Sequence, residues 1–543
     1  MKLFSYLVIS SVVLFSNSGL AEQDRPNIVL LVAEDMSARV KAFGDNVAIT
    51  PNIDALAQHS ILYPNSFTTA GVCAPSRTGL ITGMHQASVG GQHMRTRDFK
   101  ESSYRAVPDE NVKAFPELLR RKGYYTYVSS KLDYQFSEIA ANSGPFTIWD
   151  YEGSKPSWNG RKPNQPFFGM YHFNISHESA LFPEKIAKNV EKGIVKQIVK
   201  PEQVSVPAYY PDTPIVRQAI AQVYNNVSAM DRQVGAILDK LKAQGLAENT
   251  IVIWTTDHGD GLPRSKREIY DSGIKVPLVV HWPEKYRPQG MKPHAINEQL
   301  ISFVDIAPSI LAMANIKVPE YMQGSALLVD QSLPQREYIF ASKDRLDEFP
   351  FYERAARSSQ YKYLRNYLPN KPGGVKLGYR EQLPIMGDLW RALENGEMNE
   401  AQQFWFMPRP SEELYDIIND PDEVNNLADN PKFKSQLEQM RSALTNWQHK
   451  VKDYSKLKEI DQAQLFWPQG KQPQTPKPTV SISKDLVTIA NSNLGASIGY
   501  KINNGKWQIY TEPFIIKSGD IVTTKAIRYG WQESLETTIK HGN

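Results

Sequence analysis

The sequence predicts an α/β protein: a large sheet with helices on both sides, then a smaller α+β part, then a small β-sandwich. Three observations carry this. Ile28–Ala33, Tyr124–Val128, Phe167–Phe173 and Ile251–Trp254 are near-continuous apolar runs, the pattern of strands buried on both faces. The segments between them show helical spacing, as in Met230, Val234, Ile237 and Leu241 within 228–241, and again over 111–121. After about residue 330 both patterns give way to alternation and turns.

Taken in order, the first stretch is not part of the fold. Met1-Lys2 is a positive start, Leu3 to Phe15 is apolar, and Gly19-Leu20-Ala21 offers small residues for a signal peptidase. The apolar run is shorter than the ~20 residues a membrane helix needs, and no other segment approaches that length. The expectation is a periplasmic or secreted protein, cleaved after Ala21, with no integral membrane span. Among 543 residues, 62 Lys and Arg balance 58 Asp and Glu for a net charge of +4, so bulk charge argues for no nucleic-acid partner. An aromatic share of 10% suits a protein that handles sugars.

Each of the four apolar runs ends in ionisable side chains. The first leads into Glu34-Asp35, the second into Ser129-Ser130-Lys131, the third into Asn174-Ile175-Ser176-His177, and the fourth into Asp257-His258-Gly259. Ligands of open α/β sheets bind at the carboxyl ends of strands, so four such endings point to one shared site. These elements define an expected catalytic domain over 22–345. Beyond it, Tyr361–Tyr367 alternates like an exposed strand, Glu413–Asp416 follows, and Pro431–Val451 is an amphipathic helix, giving a subdomain over 346–467 that completes the cleft. Residues 468–478, rich in Pro, Gln and Lys, read as a semi-rigid linker. Residues 479–543, rich in Thr, Ile and Val with turns such as Asn503-Asn504-Gly505, read as the β-sandwich.

One cysteine in an exported protein excludes a disulfide framework. Cys73 is therefore either a buried inert thiol or a residue needed for its chemistry, and its neighbours decide. Residues 73 to 83 run Cys-Ala-Pro-Ser-Arg-Thr-Gly-Leu-Ile-Thr-Gly. This resembles, at every fixed position, the type I sulfatase signature C-x-P-S-R-x-x-x-x-T-G. The resemblance covers about Arg25 to Lys450 and implies an alkaline-phosphatase-like fold with a large mixed central sheet. It also implies that a separate maturation enzyme oxidises Cys73 to formylglycine. One hydroxyl of that aldehyde's hydrate attacks sulfur and the other later expels sulfate, an exit a plain Ser would lack. Arg77 would hold the charged nucleophile or sulfate with its fork of donors.

By the same resemblance, Glu34, Asp35, Asp257 and His258, beside Cys73, would hold a divalent cation: Ca²⁺, with Mg²⁺ as the alternative. Lys131 and Lys266 would bind sulfate, and His177 would serve the leaving group, while His172 reads as structural. Two positions depart from the family: Glu34 is one methylene longer than the usual Asp, and Asp133 stands where the family has a His. Asp133, His85 or the metal environment would then take that role. Val206-Pro207, Pro211–Pro214, Arg409-Pro410 and Glu413–Asp416 resemble landmarks of the heparan N-sulfatase branch and its bacterial polysaccharide-sulfatase relatives. The tail resembles a small chitobiase β-domain. The implied function is hydrolysis of sulfate esters on a sulfated carbohydrate, a carrageenan-type galactan or a glycosaminoglycan. Alternatives are a phosphonate or phosphodiester hydrolase, or an N-sulfoglucosamine sulfohydrolase. His93, Arg95, Arg365 and Asn366 are candidate substrate contacts.

Overall fold

The computed structural model describes residues 25–155 and 157–542; the expected leader, residues 1–21, lies outside them. Among the described residues, nine strands form the main sheet: β1 Asn27–Ala33, β2 Ser60–Phe67, β3 Tyr125–Ser129, β4 Tyr151–Gly153, β5 Phe167–Phe173, β6 Thr250–Thr256, β7 Lys275–His281, β8 Ala295–Ile296 and β9 Ile301–Ser302. Their order is β4-β3-β5-β1-β6-β7-β2-β8, with β9 also on β2. β1 is parallel to both β5 and β6, whereas β7 runs antiparallel to β6 and β2, so the sheet is mixed.

Alternation explains the uniform apolar runs. In β1, Val29, Leu31 and Ala33 enter one core and Ile28, Leu30 and Val32 the other. β6 divides likewise, with Val252 and Trp254 on one face and Ile251 and Ile253 on the other. The first face is covered by the Pro214–Ala243 helix through Val216, Ile220, Val227, Met230 and Val234. This helix starts well before the expected residue 228. Thr213 caps it, its side chain accepting from Val216 N, and Pro214 takes a first-turn place where no N–H is needed. The second face is covered by the helices Cys73–Thr82, Phe115–Arg121 and Ile306–Met313.

A second, antiparallel sheet comprises β10 Ile339–Lys343, β11 Glu353–Arg357, β12 Tyr361–Asn366 and β13 Glu412–Asp416. Here the expectation of an exposed strand is corrected. β12 is an inner strand, with Leu364 packed toward the main sheet and Tyr363 under the Lys434–Lys450 helix. Lys362 is buried too, and ion-pairs with Asp271 at 2.9 Å and Glu423 at 3.2 Å. Alternation marked two faces correctly, but both are covered.

The C-terminal strands β14 Thr479–Ser483, β15 Leu486–Ala490, β16 Ser497–Ile502, β17 Gln508–Ile509, β18 Phe514–Ile515, β19 Ile521–Ile527 and β20 Thr537–Lys540 form two facing sheets, β14-β15-β18 and β17-β16-β19-β20. Val487, Ile489, Ile516 and Val522 fill the space between them. The segment before them is strapped down instead of free. Thr475 is buried, its amide donating to Gln532 O at 3.0 Å and its hydroxyl accepting from Arg528 N at 3.0 Å.

Candidate active site

The carboxyl ends of β1, β3, β5 and β6 converge on the first turn of the Cys73–Thr82 helix. Asp35, just past β1, has a left-handed backbone (φ 47°), tolerable for Asp, and this turns its amide to donate to Asp257 Oδ1 at 3.0 Å. Ser130 and Asp133, flanking Lys131, are also left-handed at 53° and 55°. Backbone strain of this kind collects where a site requires it.

Cys73 is buried, with Sγ 3.2 Å from His258 Nε2 and 3.7 Å from Asp35 Oδ1. Asp35, Cys73, Asp257 and His258 each offer one ligand atom, all within 4.8 Å of one another; Glu34, Asp35, Cys73 and His177 form an overlapping group. The first set fits a divalent cation. His258 Nδ1 lies 3.0 Å from the Gly259 carbonyl, which can only accept, so the ring's other nitrogen faces the carboxylates. Burial opposes charge on His258, yet Asp257, Asp35 and Cys73 hold its pKa well above the usual imidazole range. That surplus of negative partners is what a bound cation would neutralise. Glu34 is differently engaged: Oε1 accepts from Arg77 and Oε2 from Lys131 at 2.5 Å. Its extra methylene lets it span those two cations, so Asp35, Asp257 and His258 make the better ligand set.

Around the thiol stand three buried cations. Arg77 is forked three ways, to Glu34, to Asp257 Oδ2 at 3.2 Å and to His172 at 3.1 Å. Burial and Arg77 itself hold His172 well below its usual pKa, so the neutral ring accepts from Arg77 and orients it. Lys131 Nζ also lies 3.7 Å from Asp133 Oδ2. Lys266 donates to Asp35 Oδ2 and lies 3.3 Å from His177 Nε2. Burial works against charge on both lysines; Cys73 and Glu34 raise the pKa of Lys131, and Asp35 and Cys73 that of Lys266, so both stay protonated.

His177 Nδ1 lies 3.2 Å from Ser179 N and 2.9 Å from Ser179 Oγ, and Nε2 faces Lys266 Nζ at 3.3 Å and Asp35 Oδ2 at 3.9 Å. Burial, then Lys266, lowers its pKa to about 4. Sequence reasoning missed Glu178, the next residue in the same turn. Its amide donates to Asp35 Oδ2 at 2.7 Å, and its carboxylate grips Arg267 at 2.7 and 2.9 Å beside Lys266. The only sequence signal was its place after His177.

Of the residues weighed for the missing His, Asp133 adjoins Lys131 and is paired to Arg95 at 2.8 Å. Burial opposes its charge, but Arg95 and Lys131 hold its pKa down to about 2. His85 is corrected: it lies past the far end of the Cys73–Thr82 helix, ~15 Å along its axis, packed on the Trp447 ring at 4.9 Å. Among the candidate substrate contacts, Arg95 reaches the edge of the cluster through Asp133. His93 is buried, accepting from Arg345 N at 3.3 Å with Nε2 3.9 Å from Glu459. Arg365 and Asn366 are placed apart from it, on β12. Arg365 pairs with Glu412 at 3.4 Å, and Asn366 Oδ1 accepts from Leu368 N at 3.0 Å.

The family model described as Sulfatase matches residues 26–152 and 156–316, the span that supplies every side chain of this cluster. The chain belongs to the sulfatase family. It is 38% identical, over 94% of its length and 90% of the relative's, to an ulvan-active sulfatase of Formosa agariphila. It is 27% identical to human N-sulphoglucosamine sulphohydrolase, covering 80% of this chain and 92% of that one. Its fold matches the structure of a 2-O GAG sulfatase with a TM-score of 0.56, at 20% identity over 80% of this chain and 94% of that one. A large mixed central sheet carries the site, in agreement with the alkaline-phosphatase-like architecture expected, and the fold also matches two putative sulfatase structures with TM-scores of 0.57 and 0.59.

Proposed function

We propose that this sulfatase removes sulfate esters from a sulfated polysaccharide outside the cell, of the ulvan type, through a formylglycine made from Cys73 by a separate maturation enzyme. The observation that carries the reading is the convergence of Cys73 with Asp35, Asp257, His258, Arg77, Lys131 and Lys266. The ulvan-active relative, at 38% identity over nearly the whole chain, supports ulvan ahead of the carrageenan-type galactan or glycosaminoglycan expected from sequence. The expected leader agrees with a polymer substrate that cannot enter a cell.

Asp35, Asp257 and His258 would hold Ca²⁺ or Mg²⁺, which supplies Lewis-acid stabilisation of negative charge at the nucleophile and the sulfate oxygens. The formylglycine would supply a nucleophile with a second hydroxyl for sulfate release. The chain's own side chains do the rest. Arg77, Lys131 and Lys266 surround the sulfate with fixed donors in a site largely closed to water, where electrostatic stabilisation is strongest. Protonated Lys266 is placed to give its proton to the departing ester oxygen, and neutral His177, with Nε2 3.3 Å from Lys266 Nζ, stands beside it to orient the leaving group.

Sulfate release from ulvan, carrageenan and glycosaminoglycan oligosaccharides tests the substrate, with a phenyl phosphonate ester as the competing chemistry. The expected result is sulfate from ulvan fragments, lost on exhaustive chelation and restored by Ca²⁺ or Mg²⁺. Faster turnover of the phosphonate ester than of any sulfate would overturn the reading.

A further inference from the structure

A cleft of about 1080 Å³ opens between the main sheet and the C-terminal β-sandwich. One wall is the edge of the main sheet: Tyr125 at the start of β3, Tyr151 in β4, and the loop carrying Phe146 and Trp149. The other is the β16–β17 turn, with Lys506 and Trp507. The walls are bolted together. Phe146 and Trp507 rings lie 5.5 Å apart, Lys525 Nζ sits over both at 4.2 and 4.9 Å, and Arg120 donates to Trp507 O at 3.4 Å. Deeper in the seam, Ser497 and Tyr529 hydroxyls donate to buried Glu117 at 2.6 and 2.7 Å. The cleft is thus preformed, and binding in it costs little ordering.

Its charge is decided by pairing. Asp150 is held by Arg120 at 2.8 Å, Glu533 by Lys525 at 2.5 Å, and Glu152 accepts from Asn142 N at 2.6 Å. Lys162 and Lys506 line the same cleft, both exposed, with no ion pair among the described residues. Against these two lysines stands only Glu152, which has no ion pair among the described residues either, so the excess charge is positive, set beside Trp507, which Lys501 also approaches at 4.9 Å. An aromatic ring ringed by ammonium groups suits a ligand with apolar C–H faces and anionic substituents.

We propose that this cleft is a second, non-catalytic site that holds a remote segment of a sulfated polysaccharide chain. Within it, Tyr125 and Lys162 lie at and just before the amino ends of β3 and β5, whereas Lys131 and His177 follow their carboxyl ends; β3 spans ~13 Å between those ends. One sugar cannot occupy both places, but one polymer can, and the second contact raises its effective concentration at the first. The inference rests on the polysaccharide reading for its ligand class.

The test uses the full chain and three forms: unaltered, Trp507→Ala, and Lys162→Glu/Lys506→Glu, the last confined to exposed side chains in case Trp507→Ala loosens the seam. Retardation in gels cast with ulvan or dextran sulfate, against neutral dextran, reads binding. Sulfate release from ulvan polymer and from a sulfated disaccharide reads turnover. Both variants should lose about tenfold in polymer affinity and raise KM on polymer in parallel, with kcat/KM on the disaccharide within about twofold. Unchanged retardation of both variants, or equal losses on polymer and disaccharide, would overturn the site. Trp507-dependent retardation without sulfate release from any polysaccharide would keep the site and overturn the function proposed above.

Discussion

Two regions of this molecule bury dense charge, and they do so for different ends. Around Cys73, Glu34, Asp35 and Asp257 face Arg77, Lys131 and Lys266 at the ends of four strands. Behind β10–β13, Arg409 is clamped between Glu413 at 2.5 Å and Glu353 at 2.9 Å, Lys343 pairs with Glu268 at 2.7 Å, and Arg354 with Asp344 and Asp453 near 3 Å. Burial and ion pairing are common to both. What differs is direction. In the second region cations and carboxylates close on one another, leaving nothing aimed at a shared point. In the first, ligand atoms converge on one thiol, the backbone is left-handed at Asp35, Ser130 and Asp133, and His177 and Arg95 remain partly open at the rim. Convergence on a reactive atom, not buried charge, marks the site.

Substitutions that remove one cation from each region break or sharpen this contrast. Arg409→Met strands Glu413 in the core and leaves Glu353 only Lys343 at 3.4 Å, which costs about 3–5 kcal/mol. Thermal unfolding should fall steeply while the folded fraction keeps its kcat; a normal melting temperature with lost activity would reverse the assignment. Lys131→Met should do the opposite. Glu34 retains Arg77, so stability changes less, but removal of a fixed donor to sulfate costs about 10²–10³ in kcat/KM. Steady-state rates on an aryl sulfate and a sugar sulfate should fall alike, because the lost contact is common to both.

The smallest expected effect lies between the two regions, at His85. Burial first, then Arg336 and Arg354, lower its pKa to about 3. Unfolded, it titrates near 6.5, so between these values the unfolded chain binds the extra proton. Its contribution is complete above pH ~6.5 and lost as pH falls toward 3, about 2 kcal/mol of it by pH 5. The drop in melting temperature from pH 7 to pH 5 should be shallower in His85→Gln; an equal drop would place His85 outside the acid response.

The strands and their endings were legible because burial on both faces leaves uniform apolar runs, and because reactive groups must stand where strands stop. The Cys73 signature was legible because it is contiguous. Sequence did not show that Lys362 and Arg354 lie inside, since a buried ion pair and a solvated one use the same letters. Nor did it show that Arg365 and Asn366 sit on another sheet, because register across a hundred residues has no local trace. His172 read as structural, and its place against Arg77 depends on a strand direction that only the paired sheet fixes. The span 468–478 read as a linker from composition, yet Thr475 and Gln474 bond to partners almost sixty residues away.

The central claim is that Cys73 is the reactive atom on which the first region converges. Mass spectrometry of the tryptic peptide ending at Arg77, taken from enzyme that releases sulfate, tests it most directly. An aldehyde in place of the thiol at residue 73, in proportion to specific activity across preparations with and without maturation machinery, is the result predicted. Full activity from a preparation carrying only unmodified Cys73 would contradict it.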